Sequence, residues 1–160
     1  MIGLDPRIRR LEPGDAARLQ RMFRRLSRET VIRRFFTFMP TLKEPALQAL
    51  TSIDHDTHEA LAVVIGDEIV ALASYHRSPS DPALADVAVL VEDGWQHHGL
   101  GRVLVRRLAQ QAAERGITTF HADVMAGNRA ATGLIRRMDR TTRARWNGDV
   151  LSYDLPLRAA

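Results

Sequence analysis

Residues 94–102 read GWQHHGLGR. They stand between an apolar run, ALADVAVLV (83–91), and an amphipathic one that begins GLGRVLVRRLAQ (99–110). In the second run Leu100, Leu104, Leu108 and Ala112 recur on one helical face, and Gly116 stops it. The stretch is therefore a strand-to-helix turn. A helix start offers unpaired N–H groups and the positive end of the macrodipole. Gly99 and Gly101 allow close approach to the backbone, and Arg102 adds a charge in the first turn. Together they read as an anion cradle suited to a pyrophosphate. The alternative is a plain glycine-containing turn. Against it, a glycine inside the first helical turn costs about 1 kcal/mol relative to alanine, so Gly101 needs a local reason. Neither common phosphate loop is present: Arg-Val-Leu follows Gly101, which breaks GxGxxG, and no GK[ST] occurs. The adjacent His97 and His98 tend to point apart, and HExxH is missing, so a metal site is not the reading. His55 and His58 in HDTH read as a solvated loop.

Working outward, IRRLEP (8–13) reads as a short edge strand. Asp15 is placed to cap a helix whose apolar stripe runs through Ala16, Leu19, Met22, Phe23 and Leu26. A second short helix follows over Glu29 to Phe36, broken by Pro40, and a third begins near Pro45. EALAVVI, a Gly66-Asp67 turn and EIVALASYHR predict a β-hairpin. After the helix that begins at Gly99 come a strand over Thr118 to Met125 and a helix for which Asn128 is the cap. A closing hairpin, TTRARW and DVLSYDL, turns at Asn147-Gly148. The order predicts an α/β fold, a mixed sheet with helices on its faces.

The length predicts one domain spanning residues 1–160. The chain lacks cysteine, which excludes disulfides, cysteine-type zinc sites and a cysteine nucleophile. No apolar run approaches the roughly 20 residues that span a bilayer. MIGLDPRIRR has no signal-peptide core, so a cytoplasmic location without membrane attachment is the expectation. Lys43 is the sole lysine; a GC-rich coding sequence explains this, or else avoidance of modifiable amines. Arg18, Arg21, Arg24, Arg25 and Arg28 on the first helix admit a nucleic-acid reading, but no binding motif accompanies them and a solvated face is preferred.

VAVLVEDGWQHHGLGRVLVRRL, followed by NRAATGLIRRM, resembles the Gcn5-related N-acetyltransferases (GNAT). Their [Q/R]-x-x-G-x-[G/A] hallmark is met by Gln96, Gly99 and Gly101, and the likeness covers nearly the whole chain. ETVIRRFF and SIDHDTHEALAVVIGDEIVALASYHR look like the bacterial protein-lysine (Pat-like) branch, whose domain is often fused to an acyl-CoA synthetase or a regulatory domain. This chain would be the catalytic domain standing alone. The resemblance implies a GNAT fold of about six to seven strands, with helices on both faces and a V-shaped splay between the central parallel strands. It implies acetyl-CoA as cosubstrate, no metal, and an amine acceptor such as a protein, for example an acyl-CoA synthetase.

Carried over residue by residue, Val89, Leu90 and Val91 would pair their backbone with the pantetheine arm. His97, His98, Gly99, Leu100, Gly101 and Arg102 would wrap the pyrophosphate with amides, behind Gln96. Asn128 would touch the CoA arm, cap its helix, or both. A lysine acceptor of pKa about 10.4 needs a base near neutral pH. The branch places a glutamate in Ala-Glu-[Val/Phe]-Ala; here the motif is ADVA, with Asp86 at that position, a departure of one methylene. Otherwise Asp86 is a polar residue at a strand start, and His121 is the next candidate base. A backbone N–H near Leu90 or Val91 would hold the oxyanion. Many family members place a tyrosine acid seven residues after the asparagine; here Ile135 stands there, with Tyr75 and Tyr153 elsewhere. The acceptor stays open between a protein lysine, a small amine and an N-terminal α-amine. A non-catalytic acyl-CoA sensor is the other class of reading, and the assembly expected is a monomer or homodimer.

Overall fold

The hairpin that turns at Gly66-Asp67 forms the middle of the sheet. Its strands are β2 (His58–Ile65) and β3 (Glu68–Arg77), with Ile65 opposite Glu68 and Gly66 at φ +62°. The computed structural model describes residues 5–158, so Met1–Leu4 of MIGLDPRIRR lie outside the described residues. Around the hairpin the described residues add β1 (Arg7–Arg10), β4 (Leu84–Val91), β5 (Thr119–Met125), β6 (Arg145–Asn147) and β7 (Val150–Pro156). The helices are α1 (Ala16–Arg25), α2 (Arg28–Phe35), α3 (Glu44–Thr51), α4 (Leu100–Glu114) and α5 (Arg129–Met138). The seven strands run in the order β1-β2-β3-β4-β5-β7-β6. Every neighbouring pair is antiparallel except β4 with β5, which is parallel.

Alternation along the strands sends side chains to two cores. Ala60, Ala62, Val64, Leu72 and Leu90 meet the apolar faces of α1, α2 and α3 at Leu19, Met22, Phe23, Val31, Leu47 and Leu50. The opposite face, with Leu61, Val63, Ala73, Phe120 and Val124, meets α4 and α5 at Leu104, Leu108 and Ile135. Both β2 and the middle of β3 are buried on both faces, which explains their near-continuous apolar sequences.

β4 and β5 pair only over Leu84–Asp86 and Thr119–His121. Beyond that point they part. β4 stays with β3 as far as Val91 opposite Ala71, and β5 stays with β7 as far as Met125 opposite Val150. The result is a V that opens toward the carboxyl ends of the two central strands, as the family resemblance implies.

Several local readings need correction. β1 ends at Arg10 because Glu12 and Pro13 open a 3-10 turn, Pro13–Asp15. Asp15 stands at the N-cap of α1 but does not cap it. Its buried carboxylate turns back to accept two bonds from Arg9, at 2.7 and 2.8 Å, and one from the Glu12 amide at 2.8 Å. Those bonds, the Arg9 guanidinium foremost, hold the carboxyl below its ordinary pKa. α1 ends at Arg25, so Arg28 belongs to α2, whose cap is Ser27 accepting from the Thr30 amide at 3.1 Å. The last hairpin turns at Gly148-Asp149, one residue later than the sequence pattern predicts, with Asn147 facing Val150 and Gly148 at φ +64°.

Candidate active site

The V is the mouth of a cleft of about 1060 Å³ that reaches from Asp86 along β4 to the turn before α4. Its walls include Val87 to Val91, Gln96, His97, Gly99 to Arg102, Asn128, Ile135 and the end of α2. His98, which the sequence places with the cradle, does not line it and packs its ring edge-on toward Trp95 at 6.3 Å.

The end at the turn before α4 is built from backbone. A 3-10 turn, Asp93–Trp95, follows β4. His97 and Gly99 then both take positive φ, +66° and +80°, before α4 begins. A non-glycine residue in that region is strained by about 1 kcal/mol or more and persists only where neighbours enforce it. Here they do. The Asp93 carboxylate, partly desolvated, accepts from the Ser27 amide (2.9 Å), the Ser27 hydroxyl (2.6 Å) and the Thr30 hydroxyl (2.9 Å). Burial opposes its ionisation, but these donors prevail and lower its pKa. The Gln96 amide donates to Thr30 Oγ1 (3.2 Å) and to the Val91 carbonyl (3.0 Å). Gln96 is thus a brace that fixes the turn to α2 and β4, with its side chain engaged inside the protein. Gly101 sits where α4 packs on β4 and α5: a Cβ there would touch Val89 Cγ1 at 3.4 Å and Leu134 at 3.7 Å, so there is room for a methyl and little more. Gly99 faces open space and is needed for its φ.

The ladder decides which β4 amides face the cleft. The Glu92 amide donates to the Val70 carbonyl, so the 70/92 pair is hydrogen-bonded and, by alternation, so are Leu72/Leu90, Ser74/Ala88 and His76/Asp86. Val87, Val89 and Val91 therefore turn their N–H and C=O groups toward the gap, where Gln96 already donates to the Val91 carbonyl. Leu90 gives its backbone to β3 and its side chain to the core, where it is 7% exposed. Asn128 caps α5, its Oδ1 accepting from the Ala131 amide at 3.1 Å, while it also lines the cleft.

The far end is built from side chains. Asp86 is exposed at the point where the strands part, opposite His76 on β3 and His121 on β5. Its carboxylate makes no hydrogen bond or ion pair among the described residues. His121 is not a spare base. Its Nδ1 lies 2.8 Å from Asp154 and its Nε2 2.9 Å from Asp123, so both nitrogens must donate, which an imidazolium alone can do. Burial pulls the other way, yet the two carboxylates raise its pKa. His76 is the opposite case: burial first, then the charges of His58 and Arg34, hold it low. Neither tyrosine lines the cleft. Tyr75 is fully buried with its hydroxyl accepting from Arg115 at 2.9 Å, and Ile135 occupies the position seven residues after Asn128.

Two further readings change. HDTH is not a solvated loop throughout: His58 is buried at the start of β2, stacked on His76 at 3.8 Å, with Nδ1 2.7 Å from the Ser52 carbonyl. The next residue, Glu59, is fully buried and meets Arg115 at 3.1 Å and His55 at 3.0 Å. The arginine stripe of α1 is mostly spent within the fold. Arg18 pairs with Asp67 (2.6 Å), Arg21 with Glu68 (3.0 Å), and Arg25 with Glu68 and Glu92 (3.0 and 2.6 Å). These bonds fasten α1 over the hairpin turn and leave little charge for an outside polyanion. Among the described residues no group of three histidines, aspartates or glutamates is placed to hold a metal, and no helix is long and apolar enough to cross a membrane.

A central parallel pair that splays above a glycine turn and helix start is the frame that the resemblance to acetyl-CoA-dependent transferases implies. The family model described as acetyltransferase (GNAT) family matches residues 20–139, and the chain belongs to that family. It is an acetyl-CoA-dependent N-acetyltransferase by that membership. Its likeness runs to the Pat kind. It is 28% identical over 136 residues to acetyltransferase Pat of Mycolicibacterium smegmatis, an alignment covering 82% of this chain and 40% of that protein. The chain thus spans about two fifths of that relative's length. The crystal structure of the GNAT domain of S. lividans PAT superposes with a TM-score of 0.85 at 29% identity, covering 95% of this chain and 90% of that one. The fold is shared with yncA of Salmonella typhimurium, solved with acetyl-CoA, at a TM-score of 0.74 and 17% identity over 97% of this chain and 95% of that one.

Proposed function

We propose that the chain transfers an acetyl group from acetyl-CoA to a lysine side chain on a protein, with Asp86 as general base. The observation that carries this is the unpaired Asp86 carboxylate at the apex of the V, where a thioester lying along β4 would end. From Asp86 to Val91 the strand rises about 17 Å, an extended arm's length from the turn. In this reading the amides of His97 and of Gly99 to Arg102 take the pyrophosphate, and Val89 and Val91 pair with the pantetheine arm. Asn128 borders it. Beside the turn, Arg102, Arg136, Arg137 and Arg140 line a second hollow that adjoins the cleft. None of the four is ion-paired among the described residues, and Arg102 Nε is buried without a partner. They suit the 3′-phosphate of CoA.

At about pH 7 only a few lysine amines in ten thousand are neutral. Asp86 takes the ammonium proton, directly or through one water, and the amine attacks the thioester carbonyl. The cleft-facing amide of Val87 or Val89 holds the oxyanion; both lie nearer Asp86 than the Leu90 or Val91 amides suggested by sequence. With Ile135 in place of a tyrosine, the thiolate leaves toward solvent and takes its proton there. The Pat likeness and the open cleft support a protein as acceptor, since a lysine on a large surface needs an accessible groove.

The test is thiol release from acetyl-CoA against proteins, lysine peptides, polyamines and aminoglycosides, with mass spectrometry to place the acetyl group. Enzyme-dependent lysine acetylation is expected. Polyamines or aminoglycosides reacting far faster than any protein or peptide would overturn the acceptor, and absence of turnover with every amine would favour an acyl-CoA sensor.

A further inference from the structure

Arg34 is the one residue of α2 whose charge the fold leaves unanswered at the reacting end of the cleft. It lines the same cleft as Asp86, half-buried, with its guanidinium 4.7 Å from the centre of the Phe35 ring. It has no hydrogen bond and no ion pair among the described residues. Its neighbour Arg33 pairs with Glu29 at 2.5 Å, and the arginines of α1 are matched by Asp67, Glu68 and Glu92. Burial lowers the pKa of Arg34, and no nearby carboxylate offsets it. A partly desolvated guanidinium with no counter-charge among the described residues, open to the cleft, is placed to receive an anionic group of a ligand.

Its place along the cleft limits what that ligand is. The Arg34 charge is felt at His76, which faces Asp86 across β3 and β4. That is the thioester end, about 17 Å of strand from the pyrophosphate turn. The phosphates of the donor have their own cations in Arg102, Arg136, Arg137 and Arg140. Beside Arg34, Phe36 caps α2 in the left-handed region at φ +62° and stands 46% exposed on the cleft wall, an apolar surface for an aliphatic stem. On the other side Asp86 waits for the ammonium.

Resting on the acetyl-lysine reading, we propose that Arg34 selects an acceptor that carries a carboxylate close to its reactive amine, the guanidinium holding the carboxylate while Asp86 takes the proton. The carboxylate comes from an acidic side chain flanking a lysine in a polypeptide, or from the α-carboxylate of a free amino acid. The chemistry is one and the sources are two. Arginine suits it because its planar fork takes both carboxylate oxygens.

The experiment measures thiol release with matched acceptors: a lysine peptide flanked by Asp, the same peptide flanked by Asn, free lysine and lysine carboxamide. For the wild-type chain kcat/KM on the Asp peptide exceeds that on the Asn peptide by about ten-fold or more, the usual scale of a charge-assisted bond. Arg34→Gln brings the ratio to about one, through KM, and Arg34→Glu inverts it. Free lysine outpacing both its carboxamide and the Asp peptide names the α-carboxylate as the source; the Asp peptide leading names the polypeptide. Three results overturn the proposal: an Asn peptide as good as the Asp peptide together with lysine carboxamide as good as free lysine, a carboxylate preference that survives Arg34→Gln, or an Arg34-dependent preference for succinyl-CoA over acetyl-CoA, which would give the guanidinium to the acyl group. Silence with all amines would instead sink the acetyltransfer reading on which this rests.

Discussion

The two ends of the cleft are made of different material. The end at the α4 turn is backbone: amides released by positive φ at His97 and Gly99, a helix start, and the strand edge of Val87 and Val89 with the Val91 amide. The end at the apex is side chain: Asp86, His121, Asp123 and Arg34, brought from β4, β5 and α2. Backbone recognises what every donor molecule shares, and its fit does not depend on protonation. Side chains recognise what differs between acceptors, and they titrate. The difference suggests that donor binding is generic and pH-tolerant, while acceptor choice and rate are set locally and respond to pH.

The largest expected effect tests the side-chain end. Asp86→Asn keeps the shape and removes the base, so kcat should fall by about 100-fold or more near neutral pH. The deficit should shrink as pH rises and the amine loses its proton unaided. Asp86→Glu restores the residue of the related branch and should retain activity. A full pH–rate profile unchanged in Asp86→Asn would make Asp86 structural and erase the contrast.

Next is the backbone end. Gly99→Val places a β-branched residue at φ +80° with nothing around it to clash, so only the turn's conformation is disturbed. We expect acetyl-CoA affinity to weaken by about ten-fold in calorimetry, with the pH dependence of kcat unaltered. Gly101 is the poorer probe, because a larger side chain would be driven into Val89 and Leu134 and would unseat α4. A smaller effect belongs to the arginine rim: acetyl-CoA lacking its 3′-phosphate should bind about three- to ten-fold more weakly, with the gap closing in high salt. Equal binding would remove side chains from donor recognition altogether.

The smallest effect concerns His121. Its folded pKa is raised, so the stability it contributes is complete below its ordinary value of about 6.5 and is lost as pH rises through the folded value. Asp123 and Asp154 are half exposed, which limits the contribution to about 1 kcal/mol or less. His121→Gln should therefore melt about 2–4 °C lower than the parent at pH 6, with the difference narrowing above neutrality. A constant difference would deny that the imidazolium is held by its carboxylates.

The same contrast governs how much of the molecule is legible in its amino-acid sequence. The Gly99-x-Gly101 turn, its strand and its helix are contiguous, and their local chemistry announces the donor end. The Gly66-Asp67 hairpin is legible for the same reason. Asp86 is legible because a motif carries it. The remainder of the acceptor end is not, because it is assembled from distant segments. His121 reads as a free base until Asp154, thirty-three residues on, is seen beside it. The α1 arginines read as a solvated face until the hairpin turn brings Asp67 and Glu68 to them. Arg34 sits in a run of arginines whose members differ only in which finds a partner. Asp15 has a capping residue's sequence position but prefers Arg9, since a bidentate charge-assisted pair outweighs a single cap bond. His58 looks like loop because polar neighbours at Asp54, His55 and Asp56 hide the start of β2.

The parting of β4 and β5 has a consequence for how the protein survives. Five residues of β4, Val87 to Val91, lack a neighbour on one side, so the sheet is unfinished until something extended lies there. In the proposed reading the donor is that missing strand. A ligand that binds only the folded chain shifts the folding equilibrium, by about 2.7 kcal/mol when its concentration is about a hundred times Kd. For a chain of this size that is about 5–10 °C of melting temperature. The protein's lifetime would then follow the supply of acyl-CoA: abundant donor protects the chain, and scarcity exposes it to unfolding and proteolysis when there is least for it to transfer.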